Sequence, residues 1–121
     1  MKLGERLDVV ALTLKGDSGA PAAIELVDSV VDVLGMHKVH KPTWYHYPVN
    51  DTGGKGFTYI QPITESFIAF DSWSDFNGGY LIMCSCRTIN LNKVCKRIRA
   101  LGYKIKQMTA NELNLGRKNG L

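Results

Sequence analysis

Two apolar runs, SFIAFDSW (66–73) and GYLIMCSC (79–86), are separated only by turn residues, the stretch SDFNGG whose last glycine opens the second run. A connection that short cannot cross over a sheet, so the two runs must pair as antiparallel neighbours. Upstream, FTYIQPI (57–63) reads as a third strand, with Pro62 at its end or on an edge because proline has no amide to donate to a ladder. The chain is therefore organised around a strand meander, and the remaining segments have to cover it.

On the N-terminal side, RLDVVALTL (6–14) is a short, partly β-branched apolar run that reads as a buried strand, followed by the turn residues KGDSG. In APAAIELVDSVVDVLGM the apolar positions Ile24, Val27, Val30, Val31 and Leu34 recur at helical spacing, with Glu25, Asp28 and Asp32 off the stripe. Ser18 marks the N-cap region and Gly35 the stop. Trp44 to Val49 reads as a strand, and NDTGGKG (50–56) as a loop. On the C-terminal side, LNKVCKRIRALG carries Leu91, Val94, Cys95, Ile98 and Leu101 on one helical face, capped by Asn90 or Asn92 and stopped by Gly102. YKIKQM alternates as a last strand, and ANELNLGRKNGL reads as a short helix or a frayed tail. One helix before and one after a run of antiparallel strands predicts a single-domain α+β fold over 1–121. Its form is a two-layer sandwich, a mostly antiparallel sheet with both helices on one face.

Composition narrows the setting. No apolar run reaches the roughly 18 residues of a membrane span, and the charged N-terminus MKLGERLDVV does not read as a signal peptide. Three cysteines, Cys84, Cys86 and Cys95, cannot close a disulfide framework, which agrees with a reducing, cytoplasmic compartment. Residues 87–121 hold nine bases against one acid, leaving +8 there and −4 in residues 1–86. Such a block fits a solvated helix face and a self-complementary oligomer contact. The competing reading, a small basic nucleic-acid-binding domain, has only Tyr103 as a stacking aromatic and no motif to support it. His37, His40 and His46 lack partners at ligand spacing, so no metal site is expected. The glycines of 50–56 lack the Lys-Ser/Thr ending of a phosphate loop.

The chemistry-bearing residues cluster around Glu65-Ser66. Strict alternation puts Phe67, Ala69, Asp71 and Trp73 on one face of the strand and Ser66, Ile68 and Phe70 on the other. Asp71 thus sets a carboxylate among aromatic neighbours, where it needs partners or keeps its proton. The series Glu65-Ser66-Phe67, Asp71-Ser72-Trp73-Ser74-Asp75, Gly79-Tyr80 and a strand ending at Cys86 resembles the small bacterial and archaeal form of S-adenosylmethionine decarboxylase. That family carries Glu-Ser-His, His-Thr-Trp-Pro-Glu, Gly-Tyr and a strand ending in Thr-Cys-Gly, with the same spacing of serine to cysteine. The resemblance spans nearly the whole chain in length and element order. Phe67, Asp71, Ser74-Asp75 and Ile82 are its departures.

The resemblance implies a chain that cuts itself. Ser66 would attack the carbonyl of Glu65 and, after β-elimination, become a pyruvoyl group, leaving fragments 1–65 and 66–121. The pyruvoyl serves as the electron sink for decarboxylating S-adenosylmethionine on the route to spermidine and other polyamines. Asp71 takes the place of the family's processing histidine, Thr58 falls near its assisting hydroxyl, and Cys86 is the proton donor. Residues 66 and 71 lie on opposite faces of a regular strand, so the family geometry calls for a bend or bulge. The resemblance also implies a homodimer with active sites near its interface. The alternatives are an uncut homologue that binds S-adenosylmethionine or a partner, and an enzyme for another amino acid such as arginine or ornithine.

Overall fold

The computed structural model describes residues 5–46, 56–64 and 66–115. Six strands form one antiparallel sheet in the order β2-β3-β4-β5-β1-β6. They are β1 (Arg6–Lys15), β2 (Thr43–His46), β3 (Gly56–Ile63), β4 (Ser66–Trp73), β5 (Gly78–Ser85) and β6 (Lys104–Asn114). Helices α1 (Ala20–Leu34) and α2 (Leu91–Ala100) pack on one face, which is the predicted sandwich.

Period-2 alternation decides what that face contains. Leu12 and Leu14 of β1, Tyr59 of β3, Ile68 and Phe70 of β4, and Leu81 and Met83 of β5 point inward, each at most 1% exposed. They meet Leu26, Val27 and Val30 of α1 and Val94 and Ile98 of α2. Phe70 sits near the centre of this contact. Its truncation in Phe70→Ala removes a fully buried ring and leaves a cavity, a loss of about 3–5 kcal/mol. In urea titration the midpoint should fall at unchanged slope; a shift within the experimental scatter would contradict the packing.

Local signals explain most boundaries. Gly35 ends α1 in the left-handed region at φ 67°, where its amide reaches back to Asp32. The N-cap of α1 is Gly19 rather than Ser18, and Gly19 N donates to Asp17 Oδ1 at 3.0 Å. Ser18 instead lends its carbonyl to Ser72 Oγ at 2.6 Å, tying the start of the helix to β4. Asn90 is the cap of α2, accepting from Lys93 N. Gly78 and Gly79 open β5 where no side chain fits: a Cβ would lie 2.1 Å from Leu14 O at Gly78 and 2.4 Å from Asp71 O at Gly79.

Two expectations are corrected. ANELN is neither helix nor tail, because β6 continues through it to Asn114, paired with β1 as far as Arg6. The N-terminal half of β1 presents an otherwise open ladder edge, and pairing those backbone groups outweighs a weak local preference. β4 is also regular. It runs in unbroken register against β3 and β5, so the bend expected between Ser66 and Asp71 is absent. The strand over Trp44–Val49 is observed only as Thr43–His46. Residues 47–49, and most of the 50–56 loop, lie outside the described residues.

Among the described residues no element covers the second face of the sheet. Its middle row reads Ile60, Ala69, Ile82, Ala11 across β3, β4, β5 and β1. Phe67 and Tyr80 stand out from that face at 38% and 48% exposure. No described helix is long and apolar enough to cross a membrane.

Candidate active site

The residues singled out around β4 fall into two groups at the two ends of that strand. At the first end, the close of β3 and the start of β4 lie side by side, with Ile63 opposite Ser66 and Thr64 following β3. Thr64 pins this end: its amide donates to His37 O at 2.9 Å, its hydroxyl donates to the same oxygen at 3.1 Å, and it accepts from His37 N at 3.2 Å. Ser66 opens β4 with φ 150°, in the region that L residues avoid. Such a conformation costs about 1–3 kcal/mol and persists only where its surroundings hold it. On its other side Ser66 pairs with Ser85 of β5, and Cys86 is the next residue. Ser85 Oγ accepts from Arg87 N at 3.0 Å, fixing the chain as it leaves the sheet past Cys86. Cys86 is half-buried, whereas Cys84 is buried and desolvation pushes its thiol up, keeping it protonated and inert. Glu65 lies outside the described residues.

At the second end Asp71 lies between Thr58 of β3 and Tyr80 of β5. Both carboxylate oxygens have donors: Thr58 Oγ1 to Oδ1 at 3.1 Å and Trp73 Nε1 to Oδ2 at 3.1 Å. The carboxylate is therefore oriented by two side chains that flank it on the uncovered face. It opens on a cavity of about 480 Å³ walled by Trp73, Phe76 and Tyr80. Lys15 closes one side, its Nζ donating to Phe76 O at 2.8 Å.

The structure thus brings Thr58 to Asp71 and Ser66 to the vicinity of Cys86, but it does not bring the two groups together within one chain. Five residue steps of extended strand separate Ser66 from Asp71, roughly 16 Å at about 3.3 Å per step. The aromatic and basic walls Lys15, Phe76 and Tyr80, and the indole donor of Trp73, were not among the expected site residues. The parity of Asp71 and Trp73, two apart on one strand face, was the available signal for the indole.

Elsewhere, the described part of the basic block is spread over α2 and β6, where Arg97 Nη1 pairs with Asp32 Oδ2 at 3.2 Å. Among the described residues no three His, Cys, Asp or Glu side chains converge as a metal site would require.

The two-layer sandwich is a fold that solved structures already contain. No protein-family model matches the sequence, and no curated protein matches it. Among solved structures, the chain is similar to the adenosylmethionine decarboxylase from Aquifex aeolicus, with a TM-score of 0.63 over 93% of this chain and 91% of that one. At 15% identity the likeness is one of fold.

Proposed function

We propose that the chain is a self-processing, pyruvoyl-dependent decarboxylase of the S-adenosylmethionine type, working as a homodimer whose sites each draw on both copies. The observation that carries this reading is the backbone of Ser66, held at φ 150° at the one peptide link where the family is cut. Strain stored at that link lowers the barrier to breaking it.

In processing, Ser66 Oγ bonds to the carbonyl carbon of Glu65 as the Glu65–Ser66 C–N bond breaks, turning an amide into an ester and freeing the Ser66 amine. A base then takes the Ser66 α-proton. The Cβ–Oγ bond breaks, and the electron pair leaves with the oxygen as the new carboxylate of fragment 1–65. Water replaces the nitrogen, which departs as ammonia. The residues at hand fit the group this produces: residue 66 would carry it, with Cys86 beside it to protonate the carbon that loses carbon dioxide. A pyruvoyl carbonyl there supplies an electron sink for a substrate bearing a primary amine.

Asp71 is the base that this scheme lacks within one chain, and a second copy supplies it. A two-fold axis running across the strands over the row Ile60–Ala69–Ile82 would reverse β4 of the second copy over β4 of the first. The Asp71 row of one copy would then face the Phe67–Cys84 row of the other, adjacent to Ser66. Stacked sheets lie about 10 Å apart, a gap that side chains and a small substrate fill. The apolar middle row and the exposed Phe67 and Tyr80 suit burial in such an interface.

Intact-mass spectrometry of the purified protein tests the reading. Two polypeptides with the masses of 1–65 and 66–121, the latter beginning with a pyruvoyl group, are expected. A single unmodified full-length mass from freshly purified and from aged protein would point instead to the uncut homologue.

A further inference from the structure

On the helix-covered side, at the β2 edge of the sheet, a separate cleft of about 490 Å³ is lined by residues that include Lys38, His40, Lys41, Trp44, Tyr59 and Gln61. Gln61 is 0% exposed. Its Nε2 donates to His40 O at 2.9 Å and to Pro62 O at 2.8 Å. Two carbonyl acceptors fix which end of the amide is nitrogen, since the flipped amide would set oxygen against oxygen. Its Oε1 is left buried with no hydrogen-bond partner among the described residues. A buried acceptor without a donor costs free energy and is rare enough to need a reason.

The rest of the cleft narrows what that donor belongs to. Trp44 stands edge-on to Tyr59 with ring centroids 4.2 Å apart and packs on Phe57 at 5.1 Å, giving a fixed aromatic wall. Burial pushes the Tyr59 phenol up, so the wall stays neutral. The rim is basic: Lys38, ion-paired with Asp28, and the exposed His40 and Lys41. An aromatic wall, a basic rim and a buried acceptor are complementary to one kind of molecule.

We propose that this cleft binds a small planar aromatic acid whose ring carries an N–H donor. The ring lies against Trp44 and Tyr59, the N–H meets Gln61 Oε1, and the carboxylate faces Lys41 and Lys38. The site shares no residue with the Ser66 chemistry and lies on the opposite side of the sheet from Asp71.

The test uses the whole purified protein with two probes, indole-3-carboxylate and 1-methylindole-3-carboxylate, which differ only in the ring N–H. Titration calorimetry should give a sub-millimolar Kd for the first and binding at least about tenfold weaker for the second, the loss of one buried hydrogen bond. The side-chain resonances of Trp44 and Gln61 should shift on binding, with Trp73 unmoved. Lys41→Glu, at an exposed position that leaves folding intact, should weaken binding several-fold. Equal affinity for the two probes, shifts confined to Trp73, or no binding of either at millimolar concentration would overturn the proposal.

Discussion

Ser66→Ala should stay a single full-length chain under conditions in which the proposed processing separates the wild-type protein into fragments 1–65 and 66–121. The substitution removes only the nucleophilic oxygen. Alanine keeps the Cβ and inherits the same backbone at φ 150°, so the fold and its strain remain while the reaction stops. Ser66→Gly gives the complementary result. It is also uncut, but glycine adopts that backbone without a steric penalty. Against a penalty of about 1–3 kcal/mol, less the roughly 1 kcal/mol that glycine loses in chain entropy, Ser66→Gly should be about as stable as Ser66→Ala or up to about 2 kcal/mol more so. A glycine variant clearly less stable than the alanine variant would mean that residue 66 is not strained.

The second large effect falls on the far end of the same strand. Asp71→Asn keeps the size of the side chain but removes the proton acceptor. Ester formation and elimination should together slow about a hundredfold or more, the usual worth of a positioned base. In the proposed scheme Thr58 and Trp73 act through that carboxylate, each donating to it at 3.1 Å. Thr58→Val and Trp73→Phe should therefore slow cutting less than Asp71→Asn does, each losing one hydrogen bond of about 1 kcal/mol. Cleavage rates followed on denaturing gels order the three variants. Equal rates for Asp71→Asn and wild type would remove Asp71 from the mechanism.

The sheet was legible in the sequence wherever apolar alternation and short turns coincided. β4 and β5 emerge from SFIAFDSW and GYLIMCSC with nearly their observed limits, because a connection of a few residues admits one topology. The end of β6 was not legible. Ala110, Asn111 and Glu112 have little strand preference of their own, and only the free edge of β1 makes them a strand. The cap of α1 was misplaced by one residue because Ser18 looks like a cap, yet its carbonyl is engaged by Ser72, 54 positions along the chain. Such a long-range bond leaves no mark on the local pattern.

The site was legible as a set of residue types but not as an arrangement. Spacing put a serine, a carboxylate and a thiol within 21 residues, and the resemblance suggested that they act together. Only the unbroken register of β4 reveals that the carboxylate sits at the opposite end of the strand from the serine. Sequence spacing cannot say which copy of a chain supplies a residue. The uncovered face with its row of Ile60, Ala69 and Ile82 indicates where a second copy would join.

Co-expression of two inactive chains probes that sharing most directly. Ser66→Ala keeps Asp71, and Asp71→Asn keeps Ser66; each alone should remain whole over the time in which the wild type is fully cut. In a mixed dimer one site regains both groups, so the Asp71→Asn chain should be cut at residue 66 while the Ser66→Ala chain stays intact, as distinguishable masses will report. If both chains remain uncut together while the wild type is cut, no group passes between copies and the shared site is wrong.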